Sequence, residues 1–349
     1  MTTRYSSNNS FAPRSNLLAG FSLIELLLAM VVFSLLMLLI LSLIDTVSNV
    51  YNAARNNTES FASARSAFES IQEMLSQATL NSYVAYEENA SGGNVERVEK
   101  SDLHFVIDGA PALVSGAGQS SVGQAIFFQT PAGLVGEKEG LDELQGLLNV
   151  VGFYVEFGPG SDYAPDFLRS TGVEIQRSPR FRLVQVIQPA EKSSVYKSTG
   201  DESYDRTWIK ELALRTTELG KRDKYVLAEN VVALSVRAKG VGNDVLRPTY
   251  QYDSRLWEKE VGSESEKGKR TRNRMPPVVE LVMVAVDESS VVRLESSGRP
   301  ADLQSLELDG LFKNANNLEK DIESIAGPLA RRGASFRIFR ATVPLGGVR

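Results

Sequence analysis

The residues of this chain with the clearest chemical consequence lie in "GFSLIE", where Gly20, Phe21 and Glu25 open a long apolar run. From Phe21 to Ile44 the sequence reads "FSLIELLLAMVVFSLLMLLILSLI", interrupted only by Ser22, Glu25, Ser34 and Ser42. As a helix this stretch would reach roughly 36 Å, against a bilayer hydrocarbon core of about 30 Å. Placing an acid among lipid tails costs about 2.5–3.5 kcal/mol on insertion scales, and such acids are usually functional. Residues 1–20 carry Arg4 and Arg14 and no acid. The positive-inside rule then puts the N-terminus in the cytoplasm and residues 45–349 on the far side of the membrane.

Three readings of this segment compete. A secretory signal peptide has a shorter apolar core followed by a small-residue cleavage site, whereas here the core is long and the small residue, Gly20, precedes it. A plain signal anchor fits the length and the charges but leaves Glu25 unexplained. In the third reading a peptidase cuts between Gly20 and Phe21 on the cytoplasmic face. The new chain then begins with an ammonium at Phe21, and Glu25 lies one helical turn away. The carboxylate can pair with that amine, or with the amine of a neighbouring copy, and the buried charge becomes a docking element.

"GFSLIELLLAMVVFSLL" closely resembles the N-terminal motif of type IV prepilins and type II secretion pseudopilins. The resemblance implies cleavage after Gly20 by a prepilin peptidase/methyltransferase and N-methylation of Phe21. It also implies that Glu25 acts as the assembly acid towards other prepilin-like subunits. The leader of twenty residues is longer than in many major pilins, and the helix lacks the proline that often breaks their membrane half. Both departures point to a minor or accessory subunit.

Elsewhere the residue inventory excludes more than it offers. There is no cysteine, which removes disulfides and thiolate metal sites. The one histidine, His104 in "SDLHFVI", reads as a half-buried strand residue, and histidine-based triads have nothing else to build on. No G-x-S-x-G, Walker A or H-E-x-x-H pattern occurs. "GPGSDYAPD" (158–166) and "DESYD" (201–205) gather oxygens that could hold calcium, but neither has EF-hand spacing. The chain therefore reads as a structural subunit rather than an enzyme, with no cofactor and no metal.

The net charge of −5 argues against a protein whose whole surface binds nucleic acid. "KEVGSESEKGKRTRNR" ends in Lys267, Lys269, Arg270, Arg272 and Arg274. It holds no aromatic residue to stack a base, and Glu258, Glu260, Glu264 and Glu266 stand upstream. A solvated loop is the expectation, with no nucleic-acid partner.

Four segments organise the chain: a cytoplasmic leader (1–20), a membrane helix (21–44), its amphipathic continuation (45–80) and an exported β-rich domain (81–349). Neither Gly nor Pro occurs between Phe21 and Leu80. Val47, Val50/Tyr51, Ala54, Phe61, Ala64, Phe68, Ile71, Leu75 and Ala78 recur at threes and fours and predict one packed face. A single helix of some sixty residues, roughly 90 Å long, competes with two helices joined near residues 54–60. Strands are expected at 103–107, 124–130, 149–157, 181–188, 230–238, 278–288 and 336–345. "ALSVRA" and "FRIFRATV" alternate as sheets with one solvated face do. Residues 142–148 and 317–327 read as short helices, the second stopping at Gly327–Pro328. Long loops fall at 108–123, 158–179, 190–206 and 239–276. The fold class is α+β and type IV pilin-like: a long N-terminal helix packed on a mostly antiparallel sheet.

Blocks such as "LLNVVGFYVEF", "FRLVQVIQPAE" followed by Trp208, "YVLAENVVALSVRA", "YQYDSRLW" and "PPVVELVMVAVDE" resemble the Verru_Chthon cassette protein C family of prepilin-like proteins. That resemblance implies companion subunits but no activity. The expected function is a minor pseudopilin-like subunit in the inner membrane, assembled into a type II secretion or type IV pilus-like apparatus. The alternatives are a membrane-tethered enzyme, and an adhesin or DNA-uptake minor pilin.

Overall fold

A computed structural model describes residues 22–88, 95–114, 120–135, 146–159, 163, 179–195, 206–214, 224–240, 246, 249–255, 273–296 and 308–346. Helix α1 spans Leu23–Ser76 without a break, so the Asn56–Asn57 pair does not split it into two helices. Ser22 starts it. Its hydroxyl accepts a hydrogen bond from the Glu25 backbone N–H at 3.3 Å, satisfying one of the donors a helix start leaves open.

The chain divides into two compact units, Met1–Ala54 and Arg55–Arg349. Within the first, the described helix residues are exposed throughout. Val47, Val50 and Tyr51, expected on the packed face, are among them. This corrects the expected face: its spacing is helical there, but helix is all the described part of that unit contains. Packing begins in the second unit, where Phe61, Ala64, Ala67, Phe68, Ile71, Leu75 and Ala78 are buried.

Among the described residues the second unit holds three sheets, antiparallel throughout. Strands β1 (Tyr83–Glu88) and β2 (Val95–Lys100) form a hairpin. Six strands form the large sheet: β3 (Val106–Gly109), β4 (Ser120–Thr130), β5 (Asn149–Gly158), β6 (Arg180–Gln188), β7 (Lys224–Glu229) and β9 (Tyr252–Asp253), in the order β7-β6-β5-β4-β3-β9. The third sheet has the order β11-β10-β8, from β8 (Val231–Lys239), β10 (Val278–Val286) and β11 (Phe336–Pro344). The α-helices among the described residues of this unit, after the end of α1, are α2 (Ala110–Leu113), α3 (Thr207–Leu214), α4 (Glu288–Ser296) and α5 (Leu318–Arg331).

Two cores lie on opposite faces of the large sheet, and β5 supplies both. Val151, Phe153, Val155 and Phe157 join the packed half of α1 and the third sheet, whereas Val150 and Tyr154 join Trp208, Ile209 and Leu212 of α3. Burial on both faces explains why β5 reads as a nearly unbroken apolar run.

Two local expectations fail for identifiable reasons. The polar half of "ALSVRA" is not solvated: Ser235 is 1% exposed, and Arg237 pairs with Glu280 of β10, donating from Nε at 2.8 Å. Helix α5 runs through Gly327–Pro328 to Arg331, and Gly333 follows with a φ of +67° that lets the chain turn left-handed. Gly333 N–H then bonds Ala330 O at 2.9 Å and Ala334 N–H bonds Leu329 O at 3.0 Å, closing the carbonyl end that the proline leaves intact. Of the expected helix at 142–148, residues 142–145 lie outside the described residues, and Gly146–Leu148 form a turn leading into β5.

Gly152, in mid-β5, sits opposite Phe127 of β4 and Val186 of β6. A Cβ there would fall 2.2 Å from the Phe127 ring and 2.9 Å from Val186. That ring meets Trp208 edge-on, 6.2 Å between centroids. Gly152→Ala is therefore expected to lower the stability of the full chain by about 1–3 kcal/mol through overpacking, read as a lower thermal midpoint by circular dichroism. An unchanged midpoint would mean that the Phe127 ring moves aside without cost.

Candidate functional site

Two places in the chain gather chemistry, and they have little in common. The first is the N-terminal motif. Gly20 and Phe21 lie outside the described residues, whereas Glu25 stands exposed on the first turn of α1. Around it runs a helical stretch, Leu23–Tyr51, that is long and apolar enough to cross a membrane. Two of its hydroxyls bond back to the helix: Ser34 donates to Met30 O at 2.8 Å and Thr46 to Ser42 O at 2.9 Å. Such back-bonding lets a hydroxyl sit in an apolar helix without a lipid-exposed donor.

The second is a buried polar cluster around His104. The ring is fully buried, ahead of β3 rather than within a strand, which corrects its reading as a half-buried strand residue. Trp208 of α3 directs its indole Nε1 at His104 Nδ1, 3.1 Å away. An indole N–H can only donate, so Nδ1 must accept. The ring proton therefore sits on Nε2, which faces Asp253 Oδ1 at 2.6 Å. The imidazole is neutral and the carboxylate charged.

Asp253 is placed by β9, which pairs with β3 at the edge of the large sheet. Its other oxygen receives Arg206 Nε at 2.9 Å and Nη2 at 2.8 Å, and the same guanidinium reaches Asp108 Oδ2 at 2.6 Å. Gln251 donates to Asp108 Oδ1 at 2.8 Å. Arg255 adds its backbone N–H to Asp253 Oδ1 at 2.9 Å. One guanidinium thus bridges two carboxylates, and every member is tied to another.

The electrostatics follow from this arrangement. Burial holds the His104 imidazolium well below the usual histidine range, more strongly than Asp253 supports it. Burial pushes the Asp253 carboxyl up, but His104 and Arg206 outweigh it and hold the group down to about 2. For Arg206, too, desolvation is overcome, here by Asp253 and Asp108, and its guanidinium is held above its ordinary value. With both ring nitrogens engaged and no exposed surface, His104 fixes the positions of β3, β9 and α3 instead of meeting a substrate.

The remaining candidates resolve only in part. Within 158–166, Tyr163 donates to Glu156 of β5, and the Arg182 guanidinium lies 5.8 Å from its ring. Gly158 O of that segment accepts from Arg182 Nη1 at 2.7 Å, and residues 160–162, 164–166 and 201–205 lie outside the described residues. Among the described residues no group of three or more His, Asp or Glu side chains is arranged to hold a metal. Of the basic run, Arg274 is described: its guanidinium takes both oxygens of Glu99 on β2, at 2.5 and 2.6 Å. Lys267, Lys269, Arg270 and Arg272 are outside. Asp108, Arg206, Gln251 and Asp253 are not legible as a set in the sequence, since an acid or arginine in a loop carries no mark of burial. The one sequence signal is indirect, a Tyr-Asp pair flanked by aromatics in "YQYDSRLW".

No protein-family model, no curated protein and no solved structure matches the chain.

His104 is the only histidine, so any imidazole titration belongs to it. Its folded value lies below the unfolded 6.5, so its contribution to stability is complete above pH 6.5 and is lost as pH falls below it. The expected slope is up to about 1.4 kcal/mol per pH unit below 6.5. Asp253 adds a second loss as pH falls from its unfolded 3.8 towards about 2. Denaturant unfolding at pH 7 and pH 5 measures the first, and His104→Gln should flatten it. An imidazole resonance titrating near 6.5 in the folded chain would refute the neutral assignment.

Proposed function

We propose that this protein is a minor pseudopilin-like structural subunit, processed by a prepilin peptidase and packed through α1 into a pilus-like assembly. The observation that carries the reading is Glu25, an acid one helical turn beyond Phe21 in a stretch otherwise fit to span a membrane. A second support is the change of character along α1: apolar on nearly every side over Leu23–Ile44, then one-faced from Phe61 to Leu75. The first half suits lipid and the flanks of neighbouring helices. The second half suits a domain of its own.

On this reading Gly20 is the last residue of a leader and Phe21 becomes the N-methylated first residue. Its ammonium and the Glu25 carboxylate form the pair that registers each subunit in the inner membrane, with the β-rich unit outside the cytoplasm. No catalytic step is assigned to the chain, and its partners are the peptidase and the companion subunits.

Intact-mass analysis of the protein from a host that has the peptidase is expected to show a chain beginning at methylated Phe21, and a bulky replacement such as Gly20→Leu should retain residues 1–20. A mature protein that still begins at Met1 would overturn the reading. Glu25→Val should leave membrane insertion intact while incorporation into assemblies falls. Normal incorporation of that variant would remove Glu25 from the docking role.

A further inference from the structure

We infer that α3 is an acid-released clasp: a proton taken up by His104 frees this helix from the large sheet while the sheet itself stays folded. The inference goes beyond the assembly role and does not rest on it. The helix is fastened at its first turn. Arg206, just ahead of it, accepts the Ile209 N–H on its carbonyl at 3.0 Å and carries the guanidinium that spans Asp253 and Asp108. Trp208 follows, buried, with its indole N–H on His104 Nδ1. That bond has one possible direction. The indole nitrogen only donates, so it suits a neutral imidazole and has nothing to offer an imidazolium. A proton on Nδ1 sets two N–H donors against each other at 3.1 Å, and one side must withdraw. His104 is held from two other directions, by Asp253 at Nε2 and by its backbone N–H, which donates to Gln129 Oε1 at 2.9 Å. Trp208 is the side that yields.

The remaining bonds of the ring respond in the opposite sense. Nε2 keeps its proton in both states, and its contact with Asp253 becomes a charge-assisted pair. The link between the approach to β3 and strand β9 therefore survives. Among the described residues, the charged groups around the ring are Asp253 of β9, Arg255 just beyond β9 and Arg206 ahead of α3, with Asp108 of β3 on the far side of Arg206. Both arginines oppose the new charge, and Arg206 belongs to the segment that departs. Asp253 does not relieve the cluster by taking up the proton, since its carboxyl is held down to about 2.

The apolar packing divides along the same line. Trp208, Ile209 and Leu212 belong to the core on one face of the large sheet, with Phe127, Val184 and Val186. Phe105, Ile107 and Tyr252, on or beside the strands that carry the cluster, belong to the core on the other face. Phe105 meets Phe128 at 6.2 Å and Tyr252 edge-on at 5.9 Å between centroids. Strands β3 and β9 thus keep their anchors on that face when α3 leaves, and the larger core with α1 and the third sheet holds no histidine to titrate. A buried histidine that served stability alone would weaken the whole sheet in acid. Here the one bond that fails is the bond that holds α3.

The test follows backbone hydrogen exchange of the full chain in detergent micelles at pH 7 and pH 5, with protection expressed against the free-chain rate at each pH. Protection across α3 is expected to fall on the order of tenfold or more at pH 5, because the undocked imidazole titrates near 6.5 and the docked one below it. Protection of β5 and β10 should not change. His104→Gln offers an acceptor to Trp208 and a donor to Asp253 without titrating, so it should keep α3 protected at both pH values. An acid effect that persists in this variant would overturn the inference. Should the variant not fold, Trp208→Phe removes the N–H that opposes the proton and should shrink the acid effect on α3; an effect as large as in the unaltered chain would count against the clasp. Equal protection of α3 at the two pH values in the unaltered protein would overturn it as well, and so would a loss shared by β5, which is acid unfolding of the whole sheet. None of these results depends on whether residues 1–20 have been removed.

Discussion

The constraint on which everything else rests is that one glycine- and proline-free helix carries two different side-chain surfaces, the first long and apolar enough to cross a membrane. Helix formation itself asks only for continuity of hydrogen bonds, and α1 has that from Leu23 to Ser76. What changes along it is the side-chain surface. From Leu23 to Ile44 large apolar residues point in every direction, an arrangement that water penalises and lipid rewards. From Phe61 the apolar positions narrow to one stripe, and that stripe is buried at Phe61, Ala64, Phe68, Ile71 and Leu75. The transition needs no break in the backbone, only a change of pattern.

Within the second unit, specificity comes from polar groups that are buried in pairs. The core could be built from the apolar strands alone, since β5, β8 and β10 are buried almost throughout. Apolar surfaces are poor at fixing which loop lies on which strand. The ionic cluster supplies that: Asp253 on a two-residue strand is held by His104 before β3 and by Arg206 ahead of α3. A comparable link crosses the third sheet, where Glu280 lies between Arg237 and Lys239, and Arg237 also reaches Ala315 O at 2.6 Å. Removing one member of such a set leaves a buried charge without its partner, which costs more than the intact set contributes.

How far the sequence foretells this depends on whether the signal is local. The helix, most of the long strands and the antiparallel character follow from periodicity and from turn residues, which act over a few positions. The hairpin β1–β2 escapes that reading because "YVAYEE" and "VERVEK" are too charged to stand out as strands. It is secured by remote contacts, Arg274 to Glu99 and Asn273 Nδ2 to Glu99 O. Strand β9 is only two residues long and has no pattern to find. Its existence is a tertiary fact, as is the burial of His104, whose partners come from 104 and 149 residues away. Helix α4 is hidden differently: "VVRLE" follows β10 so closely that it reads as loop, and the capping Asp287 is absorbed into the expected strand. Pro328 misleads because a proline ends a helix only when its lost hydrogen bond and its ring cannot be accommodated. In α5 the side chains on either side of it, Ile325 and Leu329, are both buried, and that packing holds the last turn in place.

Glu25 shows how a single spacing can serve two chemistries. It stands three residues after Ser22, the separation of a capping box, in which the carboxylate at the third helical position reaches back to the N–H of the capping residue. Half of that device is present, since Ser22 already accepts from the Glu25 N–H. In a chain that keeps its leader the N–H that a capping carboxylate reaches back to is a neutral backbone donor. On the proposed reading, cleavage makes Ser22 the second residue and sets an ammonium immediately before it. The same short reach then ends on a charged donor, and hydrogen bonds with an ionised donor are roughly twice as strong as neutral ones. The acid would therefore gain its strongest partner at the step that commits the subunit to assembly, and a helix start that is ordinary before cleavage becomes a charged docking point after it.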